Sequence, residues 1–272
     1  MDPRIYQIAA LSGLLLFGLC RLNFEVTWAQ AALTMGVTLA TQWICTRCFR
    51  LPAFDPKSSL ISGLSLCLLL RTASPVWVIL AAVLAIGGKF VLRINGKHLF
   101  NPTNFGLVAM MLLTGDEVWV SPGQWGNVAF FGFLLACCGG LVVNRAARSD
   151  VTFAFLISYL GLVFGRSLWV GEPMAIPLHR LQSGALLLFA FFMISDPRTT
   201  PNSRLGRIVF ASLVAFGGWY VQFRLFRTNG LLWSLALFSL TVPLIDLLFP
   251  GRPYSWSGKS LPFFRPIAPA AA

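Results

Sequence analysis

The sequence predicts an all-α, polytopic membrane protein with about ten transmembrane helices. Its 272 residues are 57% hydrophobic and 11% charged, and the mean hydropathy is +0.75. A soluble domain carries roughly 25% charged residues. Apolar runs recur from one end of the chain to the other, many of them near the length that a helix needs to cross a bilayer. These observations exclude an ordinary soluble enzyme.

The polar residues between the apolar runs set the boundaries of ten helices. The first run is followed by Arg21-Leu22-Asn23 and by no small-residue cleavage site, so we interpret it as a first span and not as a signal peptide. Several runs are shorter than the roughly 20 residues of a straight span, so some helices are expected to be broken. The helices are predicted near residues 5–20, 28–45, 58–71, 76–92, 102–116, 125–143, 151–165, 181–194, 208–223 and 231–248.

The basic residues indicate topology. The formal net charge is +12, with 21 lysines and arginines against 9 acidic residues. If the N-terminus is cytoplasmic, most of these basic residues fall in connections on the cytoplasmic side, which is the bias that orients membrane proteins. We therefore expect both termini in the cytoplasm, the lipid bilayer as the main partner, and no binding of nucleic acid.

Cysteine and histidine do not predict a metal or haem site. Cys45 and Cys48 have the spacing of a redox or metal-binding pair, but one pair does not complete a four-ligand zinc or iron–sulfur site. A redox role for this pair stays open as the less favoured interpretation. His98 and His179 lie on opposite sides of the membrane in this topology, so a haem held by two histidines is not expected.

Two similar segments suggest an internal repeat. Ser62-Gly63 and Ser183-Gly184 each stand near the start of a short apolar helix, and each helix is followed by a Thr- or Ser-containing segment that ends in Pro75 or Pro201. The two Ser-Gly pairs are separated by close to half the chain length. Shifting the sequence by this distance aligns predicted helices 1–5 with predicted helices 6–10. Because five is odd, the second copy must run in the opposite direction, as in transporters built from inverted repeats. We predict one integral membrane domain with halves of about 1–120 and 121–272; chance similarity is the alternative.

The stretch "FFMISDPRTTP", residues 191–201, interrupts an apolar run with charge and proline. Backbone groups freed by such a break are tolerated at membrane depth only inside protein or against a cavity. The alternative is structural: Asp196 or Ser195 caps a helix that begins near Thr200, and the arginines lie at the cytoplasmic face. The candidate binding residues of this break are Asp196, Pro197, Arg198, Thr199 and Thr200.

A second polar break, "GGKFVLRINGKHLFNPTNFG", covers residues 87–106 and lies on the same side in this topology. Its amides and hydroxyls can cap a helix or contact a ligand. Two such breaks on one side favour a shared site, and we expect them to close around one polar pocket. The further candidate binding residues are Lys89, Lys97, Asn101, Pro102, Thr103, Asn104, Ser183 and Gly184.

These segments, in this order, resemble the RnfD/NqrB family of membrane subunits of the Rnf complex and of the sodium-translocating NADH:quinone reductase. The family signature "FNPA" is nearly reproduced by Phe100-Asn101-Pro102-Thr103, and "FF-x-x-[ST]-DP-x-[ST]-x-P" fits residues 191–201. The chain is similar to short, stand-alone members. The resemblance implies a ten-helix inverted repeat in the bacterial cytoplasmic (inner) membrane, electron transfer through a flavin, coupling to ion movement, and neighbouring membrane or periplasmic redox subunits.

The resemblance also implies a covalent FMN on a threonine in an "[ST]-G-A-T" motif, and here the sequence departs from the family. Ser183-Gly184-Ala185 is followed by Leu186, and Thr114 stands beside Gly115 without the rest of the pattern. We therefore expect FMN or riboflavin, or a quinone, to be bound non-covalently. Asn101, Thr103, Thr199 and Thr200 would form hydrogen bonds with the ring. Lys89, Lys97 or Arg198 would meet the phosphate or stabilise a reduced, anionic flavin.

Two other functions stay open. Inverted five-helix repeats also build urea-type channels, so a pathway for a small solute or ion is one alternative. Buried ionisable groups mark such pathways, and Asp246 is the main candidate, unless it pairs with a basic neighbour. A scaffold subunit without redox activity is the other alternative.

Overall fold

The computed structural model describes residues 2–22, 24–121, 139–144, 146–181 and 183–254. Most of them are helical, which agrees with the apolar composition. Residues 139–144 are also helical. The other helices are α1 Pro3–Arg21, α2 Trp28–Cys48, α3 Lys57–Leu69, α4 Pro75–Val91, α5 Pro102–Thr114, α6 Ser149–Val170, α7 Ala175–Leu181, α8 Gly184–Leu188 with a π-helical continuation Phe189–Met193, α9 Arg204–Phe223, α10 Gly230–Ser239 and α11 Val242–Leu248, with a 3-10 turn at Gly115–Glu117.

Every predicted helix that lies in these ranges overlaps an observed helix. The predicted helix at 125–143 falls mostly outside the described residues, so the count of ten helices stays a prediction. The predicted helix at 231–248 is two helices, α10 and α11, bent by 54°. Among the described helices, α1, α6 and α9 are long and apolar enough to cross a membrane, and up to five spans result if each bent pair counts as one.

Four two-residue strands correct the expectation of a purely helical chain. β1 (Leu70–Arg71) pairs antiparallel with β4 (Trp119–Val120), so the segments after α3 and α5 are joined. β2 (Arg93–Ile94) and β3 (Lys97–His98) form a hairpin. The hairpin turns at Asn95 and Gly96, whose φ values are 53° and 76°; two positive φ values are what a type I′ turn requires.

The two breaks begin their helices differently. At the first break, Asn101 caps α5: its Oδ1 accepts the Asn104 amide at 3.1 Å, and Pro102 occupies the first helical position. At the second break, Ser203 caps α9 by accepting the Gly206 amide at 3.1 Å. The expectation that Asp196 or Ser195 caps a helix near Thr200 was therefore wrong.

The helices pack in a similar order in both halves. In the first half α4 lies between α2 and α5, and in the second half α9 lies between α6 and α10. Glycines permit the close contacts: a Cβ at Gly106 of α5 would lie 2.9 Å from the Ala85 side chain, and one at Gly218 of α9 would lie 2.5 Å from Leu231. α5 and α10 join the halves. The inverted orientation of the two halves stays a prediction.

Candidate functional site

The structure brings the two polar breaks together. The Asn101 side-chain amide donates to the Met193 carbonyl at 3.3 Å and lies 3.4 Å from Asp196 Oδ2. Asn101 and Ser195 are far apart in sequence, yet both residues are buried in the same wall. One polar junction thus connects α5 to the segment that follows the π-helical turn.

This junction forms part of a cavity of ≈ 250 Å³. Its wall is formed by α1 to α5, the hairpin, the helical residues 139–144 and the second break. Seven of the candidate residues line it: Lys89, Asn101, Pro102, Thr103, Asp196, Pro197 and Arg198.

Thr199 and Thr200 do not line the cavity. Their hydroxyls donate to the Asp196 carbonyl at 3.3 and 3.1 Å, and the same carbonyl accepts their two backbone amides at 3.2 and 3.1 Å. Four donors therefore converge on one acceptor. The two threonines hold the loop in shape, and the ring contacts expected from the sequence do not follow from this geometry.

Lys97 and Asn104 also point elsewhere. Lys97 forms an ion pair with Asp246 at 2.8 Å and donates to Asn202 at 3.3 Å. This pairing is the alternative that the sequence left open for Asp246. The Asn104 amide donates to the Leu232 carbonyl at 3.2 Å and so fastens α5 to α10.

Ser183 and Gly184 lie at a different place. Ser183 caps α8 and lines a separate cavity of ≈ 190 Å³, together with Tyr159 and Gln222, whose side chains share a hydrogen bond of 2.8 Å. Gly184 is the first residue of α8. The structure does not bring this pair to the cavity between the two breaks.

Several residues of the cavity wall were missed from the sequence. Gln42 of α2 is the most informative, because it is 6% exposed and its Oε1 has no hydrogen-bond partner within the described structure. The available signal was a row of polar residues spaced four apart in α2, namely Thr34, Thr38, Gln42 and Thr46, which share one face of the helix. The other missed polar residues of the wall are Arg4, Gln7, Asp55, Ser58, Ser62, Ser65, Arg93 and His98.

Lys89 places a buried positive charge in this wall. The side chain is 5% exposed, and its Nζ donates to Ser58 Oγ at 2.8 Å. The Nζ also lies 5.4 Å from the centre of the Phe90 ring. A buried ammonium group with one hydroxyl as its hydrogen-bond acceptor retains unused donors.

The two carboxylates of the wall lie in different environments. Asp55 pairs with Arg4 at 2.5 Å; burial raises the pKa of Asp55, but the Arg4 guanidinium outweighs it and leaves the pKa below its usual value. Burial raises the pKa of Asp196, and the Arg198 amide and nearby cations offset this only in part. Asp196 thus binds its proton more tightly than an exposed aspartate does.

His98 is a neutral imidazole in this wall. Its Nδ1 lies 2.8 Å from the Lys89 carbonyl, so Nδ1 carries the proton and Nε2 is an acceptor. Burial, then the charges of Arg93, Arg198 and Lys89, lower the pKa of His98 to about 3. The imidazole therefore stays uncharged at neutral pH.

The cavity has the properties of a binding site for an organic ligand. It combines cationic donors, the buried Oε1 acceptor of Gln42 and apolar walls that include Phe90 and Phe192. Across the described part of the chain, no group of three or more His, Cys, Asp or Glu side chains is arranged to hold a metal ion.

Comparison with known proteins gives the family context. The sequence profile of the NQR2, RnfD, RnfE family matches residues 118–255. A protein of Pectobacterium carotovorum subsp. carotovorum (strain PC1), named as a subunit of an ion-translocating oxidoreductase complex, is 35% identical over 136 residues, which are 48% of this chain and 36% of that protein. Proteins of the same name from Klebsiella pneumoniae (strain 342) and Escherichia coli (strain K12) are 33% and 31% identical over 135 and 133 residues, with the same coverage.

The matched region contains the second break and not the first. The aligned stretch covers about a third of these relatives' own length. The residues of the first break, 87–106, precede the family match. Together with the apolar helices, the match identifies a multi-pass membrane protein.

Proposed function

Because this chain belongs to the NQR2, RnfD, RnfE family, we propose that it is a membrane subunit of an electron-transport system that couples electron transfer to ion translocation. The curated relatives carry the name of such a subunit. The single structural observation behind the proposal is the cavity in which Asn101 and Asp196 meet, because a redox carrier needs a place for its cofactor.

We propose a placement in the bacterial cytoplasmic (inner) membrane with both termini in the cytoplasm. The excess of basic residues in alternate connections supports this orientation. The similar packing order of α2, α4 and α5 and of α6, α9 and α10 supports two inverted halves in one membrane domain. Ten spans would then put the cavity on the cytoplasmic side.

FMN or riboflavin, bound without a covalent bond, is the proposed cofactor, with a quinone as the second choice. The cavity residues fit such a group: Gln42 offers an unpaired buried acceptor, Lys89 offers unused donors, and Phe90 and Phe192 offer apolar surface. A volume of ≈ 250 Å³ lies just below the roughly 300–1,000 Å³ of most ligand pockets, so it suits a single ring system better than a dinucleotide. A bound flavin would supply the electron transfer, and the protein supplies position and electrostatics.

The residues do not support covalent attachment. No "[ST]-G-A-T" sequence occurs in the chain. Thr114, which stands beside Gly115, donates its hydroxyl to the Met110 carbonyl at 2.8 Å.

Other membrane redox subunits are the proposed partners. The relatives are named as subunits of a complex, and a carrier of electrons needs a donor and an acceptor. Co-purification from native membranes, followed by mass spectrometry of the associated proteins, tests this part of the proposal.

The experiment that tests the function is a visible spectrum of the protein purified in detergent, before and after denaturation. We expect flavin absorbance that denaturation releases into solution. A fluorescent flavin band that survives a denaturing gel contradicts non-covalent binding. A colourless protein that neither takes up added flavin nor binds a quinone contradicts the carrier proposal, and solute flux into proteoliposomes then separates a channel from a scaffold.

The variant Asn101→Ala tests whether the cavity is the site. We expect it to reduce flavin content, because it removes the junction between the two breaks. Asn144→Ala is the matched control, because it removes an amide from the exposed end of the helical residues 139–144, outside the cavity wall. Equal flavin content in both variants contradicts the assignment.

A further inference from the structure

We propose that the groove between α6 and α9 binds one anionic phospholipid, with the headgroup on Arg204 and an acyl chain along the groove. This site is separate from the cavity between the two breaks. It goes beyond the proposed function, because it assigns a component of the membrane itself as a ligand and does not depend on a bound flavin.

The groove lies at the end of the molecule where α6 and α9 both begin. The two helices pack side by side and run in the same direction. Their direction follows from two contacts: Asp150 pairs with Arg207 near the first turns, and the hydroxyl oxygens of Ser158 and Ser212 lie 3.1 Å apart further along. The space between the helices has a volume of ≈ 790 Å³, and its described lining ends at the two serines.

The length of the groove suits one leaflet of a bilayer. Eight residues separate Asp150 from Ser158 and Arg204 from Ser212, and eight helical residues rise by about 12 Å. Half of the hydrocarbon core of a bilayer is about 15 Å thick. An acyl chain that starts at the first turns of the helices can therefore follow the groove to its end. A spanning helix of a neighbouring protein would need a contact face across both leaflets.

The lining of the groove below its first turn suits an acyl chain. Phe153 and Ile157 line it and are 59% and 71% exposed, and the small side chain of Ala154 lies on the same stretch of α6. The hydroxyls of Ser158 and Ser212 share a hydrogen bond, so they satisfy each other beside an apolar ligand. Contact with an acyl chain would cover the exposed apolar side chains.

The end of the groove at Arg204, which we call its mouth, carries an unpaired positive charge. The Asp150 carboxylate is already used: its Oδ2 accepts the Arg207 guanidinium at 2.9 and 2.5 Å, and its Oδ1 accepts the Val151 amide at 2.9 Å. Arg204 is exposed and has no carboxylate within ion-pair distance among the residues that the structure describes. Its guanidinium is therefore available to a phosphate, which it can bind with a planar fork of donors.

Two helix N-termini add to the positive potential of the mouth. α6 begins at Ser149 and α9 begins at Arg204, so the positive ends of both helix dipoles lie there. Arg148, the residue before α6, does not cap the helix with its side chain. Acceptor oxygens of a phosphodiester fit such a helix end. In the proposed orientation the mouth lies at the cytoplasmic surface, where basic pockets between helices bind anionic headgroups.

The test measures lipid binding by native mass spectrometry of the full chain in detergent. Dioleoyl phosphatidylglycerol, which has a net negative charge, and dioleoyl phosphatidylcholine, whose choline neutralises the phosphate, are titrated separately. The fraction of protein that carries one lipid gives each dissociation constant. We expect phosphatidylglycerol to bind about fivefold more tightly, which corresponds to the roughly 1 kcal/mol of one arginine near a membrane surface. Equal affinities for the two lipids overturn the inference.

Charge variants locate the headgroup. We expect Arg204→Gln to remove most of the preference for phosphatidylglycerol, and Arg204→Lys to keep most of it. Arg252→Gln is the matched control, because Arg252 is an exposed arginine outside the groove. Where Arg204→Gln lowers protein yield, Ser149→Glu carries the same test: it adds a negative charge at the mouth, and an acid in the first turn of a helix favours folding. A preference that persists in both variants contradicts the assignment.

A larger side chain in the groove tests the position of the acyl chain. We expect Ala154→Leu to weaken the binding of both lipids about fivefold, because the added atoms occupy the groove. Gly165→Leu is the control: it lies further along α6, outside the groove, and nothing lies within 4 Å of a Cβ there. Unchanged lipid binding in Ala154→Leu contradicts the site.

Photocrosslinking separates a lipid from a neighbouring protein as the occupant. Phe153 lines the groove and is exposed, so benzoylphenylalanine in its place would contact whatever fills the groove in native membranes. We expect illumination to attach phospholipid, which mass spectrometry of the purified chain identifies. A crosslink to another protein chain would show that the groove is a protein interface, and it would overturn the inference.

Discussion

The two polar breaks solve the same backbone problem in different ways. At the first break the residue that caps the helix, Asn101, also contacts the second break, because its side-chain amide donates to the Met193 carbonyl. At the second break these tasks are divided: Ser203 caps the helix, while the Asp196 carbonyl gathers the two threonines and its carboxylate faces the cavity.

This division explains which polar side chains remain for a ligand. At the second break the hydroxyls and backbone amides of Thr199 and Thr200 all donate to the Asp196 carbonyl. The two threonines therefore form their hydrogen bonds within the loop and not with a ligand. The first break, with its short hairpin, leaves Lys89 and Arg93 facing the cavity. Proline-containing motifs that look alike in sequence can therefore differ in what they offer to a ligand.

The largest effect is expected from Asn101→Asp. The new carboxylate can still cap α5. Asn101 Nδ2 lies 3.4 Å from Asp196 Oδ2, so an oxygen in its place would lie directly beside the Asp196 carboxylate. Two adjacent carboxylates in a partly buried site should destabilise the protein by about 3 kcal/mol at pH 8. Denaturant titration in detergent measures the loss.

Acid provides the control for this variant. At pH 5 the two carboxylates of Asn101→Asp should share one proton, and the variant should recover part of its lost stability. Asn101→Ser keeps a cap without adding charge, so it should cost about 1 kcal/mol of stability at both pH values. A loss for Asn101→Asp that does not depend on pH would show that the breaks do not meet as described.

Gly251→Ala should disturb the second break alone. A Cβ at Gly251 would lie 2.5 Å from the Ser203 backbone nitrogen and 2.7 Å from the Asn202 carbonyl carbon. These are backbone atoms, which cannot move aside as the end of a flexible side chain can. We expect a loss of about 2 kcal/mol. Gly165→Ala on α6 is the control, because nothing lies within 4 Å of a Cβ there. Equal melting temperatures for the two variants contradict the close contact.

The two breaks should respond to acid in opposite directions. The pKa of His98 is lowered to about 3, so between pH 6.5 and 3 the unfolded chain binds the proton and stability falls as the pH falls. The pKa of Asp196 is raised, so the folded state binds the proton more tightly and this group stabilises the protein as the pH falls. Each slope is at most about 1.4 kcal/mol per pH unit.

Variants separate the two slopes. We expect His98→Gln to flatten the loss of stability below pH 6.5, and Asp196→Asn to steepen it, because the compensating group is gone. Melting temperatures between pH 4.5 and 8 give both slopes. The same pH profile in both variants contradicts opposite responses.

The smallest effect is expected from Thr199→Val and Thr200→Val. Each removes one hydroxyl that donates to the Asp196 carbonyl, so each should cost about 1 kcal/mol of stability. Flavin affinity should stay within twofold of the wild type, unlike that of Asn101→Ala. A selective loss of flavin with unchanged melting temperature would return the threonines to the ligand site.

Local chemistry explains what the sequence predicted well. Apolar runs gave the helices, and Asn101-Pro102 predicted a helix start because cap and first-turn preferences depend on neighbouring residues only. The meeting of the two breaks was expected because the sequence predicts both of them on the same side of the membrane. The cap at Ser203 was missed because Asp196, Ser195 and Ser203 are all good caps, and loop shape decides among them.

Long-range geometry explains what was missed. Gln42 and Arg93 lie far apart in sequence, and their place in one wall depends on how α2 packs against α4 and on where the hairpin after α4 lies. The β1–β4 pairing joins two-residue strands that carry no periodic signal. The hairpin had a usable signal, since Asn95-Gly96 is a typical type I′ turn sequence.

The ion pair of Lys97 with Asp246, which Asn202 joins by donating its backbone amide and side chain to the same carboxylate, has a consequence for biosynthesis. These contacts join the hairpin, the second break and α11, the last helix that the structure describes, so they cannot form until residue 246 has left the ribosome. The earlier helices are therefore synthesised before the hairpin and the second break are joined to α11. The wall of the cavity, to which the hairpin and the second break both contribute, is therefore completed late in synthesis.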